Sequence, residues 1–179
     1  MGFNAGLSAL LLLEAVPTAR VLSFDLGDQP WSKHAAHALA QRYRGRGQRS
    51  SRFLGVVFGD SAETIPRYKR EHPGFACDVA FVDGSKSYQG RKSSLNDLRA
   101  MASANAVVFL DEVTSQRCIN GSLPLPTHTA TCRHLNPPYY AAVRAYDNFC
   151  RKGQMRVLEC AWPKGRFEDR DGICMAQFM

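Results

Sequence analysis

Acidic residues close four short apolar runs in the first two-thirds of the chain. Asp25 ends VLSFD, Asp60 follows FLGVVFG, Asp83 ends DVAFVD, and Asp111-Glu112 follows VVFL. A single acid after a strand is often a helix cap, and Asp60 ahead of SAETIPRYK suits that role. Acids at four successive strand ends suit a site for a nucleoside and a cation. A carboxylate there can accept hydrogen bonds from both hydroxyls of a ribose, and hard carboxylate oxygens suit Mg2+. Gly2-Phe3-Asn4-Ala5-Gly6 stands at the head of a helical pattern. Its glycines allow backbone to approach a ligand, and a helix start offers free N–H groups. The dinucleotide fingerprint G-x-G-x-x-G would need glycines at 4 and 7, where the chain has Asn4 and Leu7. That spacing disfavours a nicotinamide cofactor.

Alternating elements must position these residues. Strands are expected over VLSFD (21–25), FLGVVFG (53–59), DVAFVDG (78–84), AVVFLDEV (106–113), MRVLECAW (155–162) and ICMAQF (173–178). Several are continuous apolar runs, as in strands covered on both faces. Helical patterns run over AGLSALLLLEA, SKHAAHALAQRYR, SAETIPRYKREH, SYQGRKSSLNDLRAMA and PPYYAAVRAYDNFCRK. The leucines of the first read as its buried side. This alternation predicts an α/β fold with a mostly parallel sheet and helices on both faces. No helix separates the last two strands, which predicts an antiparallel hairpin at the C-terminus. The irregular segment 114–136 is too long for a simple connection and reads as a cover over the site that helps select the substrate. Its His128 and His134 read as ordinary loop residues.

Composition narrows the class. At 179 residues, 45% hydrophobic and 22% charged, the chain suits one soluble domain over 1–179. No basic residue precedes the leucine run, since the first is Arg20. An export signal is therefore disfavoured, no membrane span is expected, and a cytoplasmic location is. The net charge of +7 concentrates at Arg42, Arg44, Arg46, Arg49 and Arg52. A nucleic-acid surface is the weaker reading of that cluster, because no RNA-binding aromatic motif accompanies it. The six cysteines form no C-x-x-C pair, which disfavours a metal cluster or a disulfide framework. Cys77 and Cys160 sit in apolar runs, where a reduced thiol packs as a small hydrophobe.

The ordered set GFNAG, SFD, GDSAET, DVAFVDGSKSYQG and VVFLDEV resembles class I S-adenosylmethionine-dependent methyltransferases, closest to their small-molecule O-methyltransferase branch. The resemblance is strong over 1–113, and the closing hairpin suits the reversed last strand of that Rossmann-like fold. It implies S-adenosyl-L-methionine as cofactor and a small-molecule oxygen as methyl acceptor. By position, Gly2, Asn4 and Gly6 would line the methionine part, Asp25 would hold the ribose, and Asp60 and Ser61 would lie near the adenine. Asp83 would stand beside the methyl group. Cation-dependent, catechol-type relatives follow this acid with a lysine three residues later, then an acid and an amide after the next strand. The counterparts are Lys86, Asp111 and Glu112, so the resemblance implies Mg2+ on Asp83, Asp111 and Glu112, with Lys86 taking the acceptor's proton. Two departures stand out. Glu112 replaces the amide, and Lys86 and Gln89 depart from the D-G-x-H-S-Y-E-G form of other relatives. The family also places a strand ending in an acid before the glycine turn, where this sequence has Met1. The first strand is accordingly expected to be missing. An inactive or truncated methyltransferase-like binding protein is the alternative.

Overall fold

The computed structural model describes residues 1–44, 51–113, 137–161 and 172–179, and of residues 137–140 the backbone alone. These fall into two compact units, Met1–Arg70 and Glu71–Met179, within the span expected to be one domain.

The first unit holds α1 (Leu7–Ala15), β1 (Val21–Asp25), α2 (Ser32–Arg42), β2 (Phe53–Phe58) and α3 (Ser61–Glu71). β1 and β2 pair in parallel, from Val21 opposite Phe53 to Asp25 opposite Phe58. Phe3, Ala9, Leu13, Val21, Leu39 and Phe53 form one buried cluster. The reading of the leucine run needs correction. α1 is apolar on every side, so only one stripe can face the strands. Ala9 and Leu13 occupy that stripe, while Leu7, Leu11 and Leu12 are exposed.

The second unit holds β3 (Cys77–Val82), α4 (Tyr88–Met101), β4 (Ala102–Val113), α5 (Pro137–Arg151), β5 (Met155–Ala161) and β6 (Gly172–Phe178). Its sheet runs β3-β4-β6-β5, so the described strands form two sheets rather than one. β3 and β4 are parallel, whereas β6 lies antiparallel to both β4 and β5. The expected closing hairpin is thus present. α4 turns Leu95, Leu98 and Met101 inward, and α5 turns Ala142, Val143, Ala145, Tyr146 and Phe149 inward, each at helical spacing. α4 packs on β3, and α5 packs on β4, on β5 and on α4.

Cys160 and Cys174 lie directly opposite one another on β5 and β6 and form a disulfide. The expectation of a reduced Cys160 is therefore corrected. Strand spacing brings opposed side chains together, and this pairing is invisible in the linear order. Cys77 is a free thiol, as expected, and Cys150 is free as well. Cys118, Cys132, His128 and His134, with the whole of 114–136, lie outside the described residues. No helix among the described residues is long and apolar enough to cross a membrane.

Candidate active site

In the first unit the glycine turn and the end of β1 form one hydrogen-bonded assembly. Gly2 N–H donates to the Phe24 carbonyl at 2.9 Å, which brings the turn alongside β1. Asp25 then gathers the turn: Oδ2 accepts from Phe3 N–H at 2.7 Å and Asn4 N–H at 3.0 Å, and Oδ1 accepts from Gly27 N–H at 2.8 Å. Gly2, Asn4 and Gly6 all take positive φ, at 84°, 48° and 80°. Glycine is needed at position 6 for a second reason, because a Cβ there would lie 2.8 Å from Cζ of Phe3. Phe3 is itself buried against Phe53. Asn4 Oδ1 accepts from the Trp31 indole at 2.6 Å, and Trp31 is otherwise exposed. Asp60 behaves as the helix cap its position allows. Its Oδ1 accepts from Ala62 N–H at 2.9 Å, and its carbonyl accepts from Thr64 N–H at 2.8 Å. Ser61 opens α3 beside it.

In the second unit the parallel register sets Val82 opposite Leu110, so Asp83 and Asp111, one residue on, emerge side by side. At the same point the β4–β6 register slips between Leu110 and Val113, and Glu112 takes φ 60°. This bulge re-aims two consecutive acids near the end of β4. Asp83, Asp111 and Glu112 each offer an oxygen within 4.8 Å of the others. Lys86 Nζ enters the same cluster, 3.1 Å from Asp83 Oδ1 and hydrogen-bonded to Glu112 Oε1. Burial works against the charge on Lys86, but hydrogen bonds and charge from Glu112 and Asp83 outweigh it and raise its pKa. Asp111 moves the other way from an ordinary acid. Burial, the charge of Asp83 and a hydrogen bond to it push Asp111 up to about 6.

The methyltransferase domain family matches residues 1–113. The chain belongs to this family. Solved structures of low identity share its fold, class I as the ordered motifs imply. An O-methyltransferase from Bacillus cereus in complex with S-adenosylhomocysteine aligns over 99% of this chain and 71% of its own, at 15% identity and a TM-score of 0.70. The O-methyltransferase TomG from Streptomyces achromogenes, in complex with S-adenosylmethionine, aligns over 99% and 70%, at 19% identity and a TM-score of 0.68. The TDP-rhamnose 3'-O-methyltransferase CalS11 aligns over 98% and 68%, at 18% identity and a TM-score of 0.61. No curated protein matches the chain.

Two buried side chains that brace the acidic cluster of this methyltransferase domain escape a reading of strand ends. Arg91 has no exposed surface, yet it is charged. Its Nη1 donates to the Val82 carbonyl at 2.7 Å, its Nη2 donates to Glu112 Oε2 at 2.8 Å, and its guanidinium lies over the Tyr146 ring. Tyr146 hydroxyl donates to the Asp111 carbonyl at 3.0 Å, so α4 and α5 both hold the bulge. The signal was present in the sequence. Arg91 lies four and seven residues before Leu95 and Leu98, in a slot where the helical period calls for an apolar side chain.

The residues do not fit a divalent ion held by all three acids. Both carboxylate oxygens of Glu112 are taken, one by Lys86 and one by Arg91, and one oxygen of Asp83 is taken by Lys86. Mg2+ requires near-octahedral oxygen ligation, and these ion pairs leave Glu112 no free oxygen to offer it. The arginine cluster is partly structural. Arg42 pairs with Glu14 at 2.8 Å. Arg52 donates to the carbonyls of Leu13 and Val16, the latter at 2.7 Å, satisfying the open C-terminus of α1. Arg46 and Arg49 lie outside the described residues.

Proposed function

We propose that this methyltransferase domain uses S-adenosyl-L-methionine and transfers its methyl group to a hydroxyl oxygen of a small molecule. The observation that carries the reading is the Asp83–Asp111 pair beside the Lys86 ammonium, with Asp111 poised at about 6. In the reaction the acceptor oxygen forms a bond to the methyl carbon while the carbon–sulfur bond breaks. Its electron pair returns to sulfur, leaving S-adenosylhomocysteine, and the hydroxyl proton must go to a base. An acid near 6 is ionised at neutral pH and strong enough as a base to take it. Lys86, expected from the resemblance to be that base, is held as an ammonium and better suits stabilising an acceptor oxyanion. Alignment of oxygen, methyl and sulfur supplies much of the remaining rate. Gly2, Asn4, Gly6, Asp25, Asp60 and Ser61 are the proposed cofactor contacts. Asp25 has three of roughly four acceptor positions filled by amides, so one remains for a ribose hydroxyl.

The names of the similar solved structures support this reading, because each is an O-methyltransferase and two carry the cofactor or its product. Calorimetric titration with S-adenosylhomocysteine tests it, followed by mass detection of methyl transfer to phenols and other small hydroxylated molecules. Saturable binding and a methylated product are expected. No heat from a folded sample would overturn the cofactor assignment, and binding without any product would favour a methyltransferase-like binding protein.

A further inference from the structure

The acidic cluster carries its own counter-ions. Three carboxyl groups crowd the ends of β3 and β4, and two permanent cations meet them from α4 and the turn before it. Lys86 touches two of the three carboxylates, so its ammonium stands in the space an ion bridging them would need. Glu112 cannot turn away to serve as a ligand, because Arg91 grips its second oxygen from a fully buried position. The left-handed backbone at Glu112 and the register slip around it keep that carboxylate aimed at Lys86.

We propose that Lys86 is the resident cation of this site, with Arg91 as the positioning residue that clamps Glu112 to it, and that methyl transfer here proceeds without a divalent ion. The inference rests on the methyl-transfer reading for its catalytic part alone. Lys86 supplies the fixed positive charge beside the acceptor oxygen, and the remaining negative charge of the Asp83–Asp111 pair is free to take a proton. Arg91 acts through Glu112. Its loss would release the carboxylate and add one uncompensated negative charge to the cluster, the condition that invites a divalent ion.

The test titrates the cofactor-free protein with Mn2+, followed by calorimetry and electron paramagnetic resonance. The wild-type protein is expected to bind no Mn2+ at micromolar concentrations. Lys86→Met should gain at least about tenfold in Mn2+ affinity, and Lys86→Arg, which keeps the charge, should gain none. Arg91→Met should gain as Lys86→Met does, and Arg91→Lys should restore the wild-type response, which a purely structural role would not produce. Lys86 is only half-buried, so its variants report even where Arg91→Met does not fold. Micromolar Mn2+ binding by the wild type would overturn the proposal, as would turnover lost to a chelator and restored by Mg2+. The metal titration needs neither cofactor nor turnover. Its failure is therefore separate from a failure of S-adenosylhomocysteine to bind.

Discussion

Replacing Asp25 separates a residue that holds the glycine turn from one that only waits for a ligand. In Asp25→Ala three backbone amides lose a charged acceptor at 2.7, 3.0 and 2.8 Å. A hydrogen bond to a charged group contributes about 1.5–3 kcal/mol when well shielded. Asn4 N–H is exposed and finds water instead, so its loss costs little. Phe3 and Gly27 N–H are half-buried, and discounting for water access leaves about 1 kcal/mol each. The sum is about 2 kcal/mol, a fall in Tm of about 4–8 °C for a chain of this size. Asp25→Asn keeps one carbonyl acceptor but turns an NH2 group toward one set of donors, so it should fall between wild type and alanine. Thermal melts by circular dichroism read the stability, and S-adenosylhomocysteine titration reads the binding. A Tm unchanged within about 1 °C alongside weakened binding would refute the turn-holding role and make Asp25 purely a ligand contact.

Three further outcomes follow from charge and covalent structure. Asp111 sits at about 6 when folded, against 3.8 for an ordinary aspartate. The folded chain therefore binds a proton in the window where the unfolded chain does not, and this contribution to stability is lost as pH rises through about 6. Urea midpoints should show a decline between about pH 4 and pH 6.5, flat above it, that Asp111→Asn removes, and a wild-type profile matching that of the variant would contradict the assignment. Turnover should rise as pH passes about 6, where folded Asp111 ionises, and Asp83→Asn should move the rise to lower pH by removing its charge. The Cys160–Cys174 bridge spans 14 residues. Closing a loop of that size stabilises by about 3 kcal/mol. Cys174→Ser, or reduction of the wild type, should therefore lower Tm by about 6–12 °C. Equal Tm with and without reductant would show that the bridge adds nothing.

Local pattern carried the elements further than their assembly. Every strand and helix lies within a few residues of its expected place, because continuous apolar runs and the 3.6-residue period are local properties. The side-by-side position of Asp83 and Asp111 was also legible, since each follows an apolar run by a single residue and parallel pairing sets those runs in register, Val82 opposite Leu110. What the pattern could not supply was competition for surface. α1 has more leucine than one strand pair can cover, so hydrophobicity alone overstated its burial. The cross-strand disulfide depends on register across a hairpin, which spacing along the chain does not report.

Arg91 and Glu112 illustrate how the missing part could have been read. Each breaks a local rule by itself: an arginine in the apolar stripe of α4, and a glutamate on a strand whose neighbours are buried. A buried charge without a partner is too costly to persist, and removing one partner of a buried pair costs about 3–5 kcal/mol. Two violations of opposite sign in one unit are therefore evidence for each other. Here they meet at 2.8 Å. The pairing explains why the acid after Asp111 is a glutamate rather than the amide of the catechol-type pattern: an amide would leave the guanidinium of Arg91 without its counter-charge. It also explains why Lys86 lies within the cluster, because the second oxygen of that glutamate is its anchor. The departure from the catechol-type pattern at position 112 is thus one change with Arg91, and Lys86, which that pattern shares, joins both through the same carboxylate.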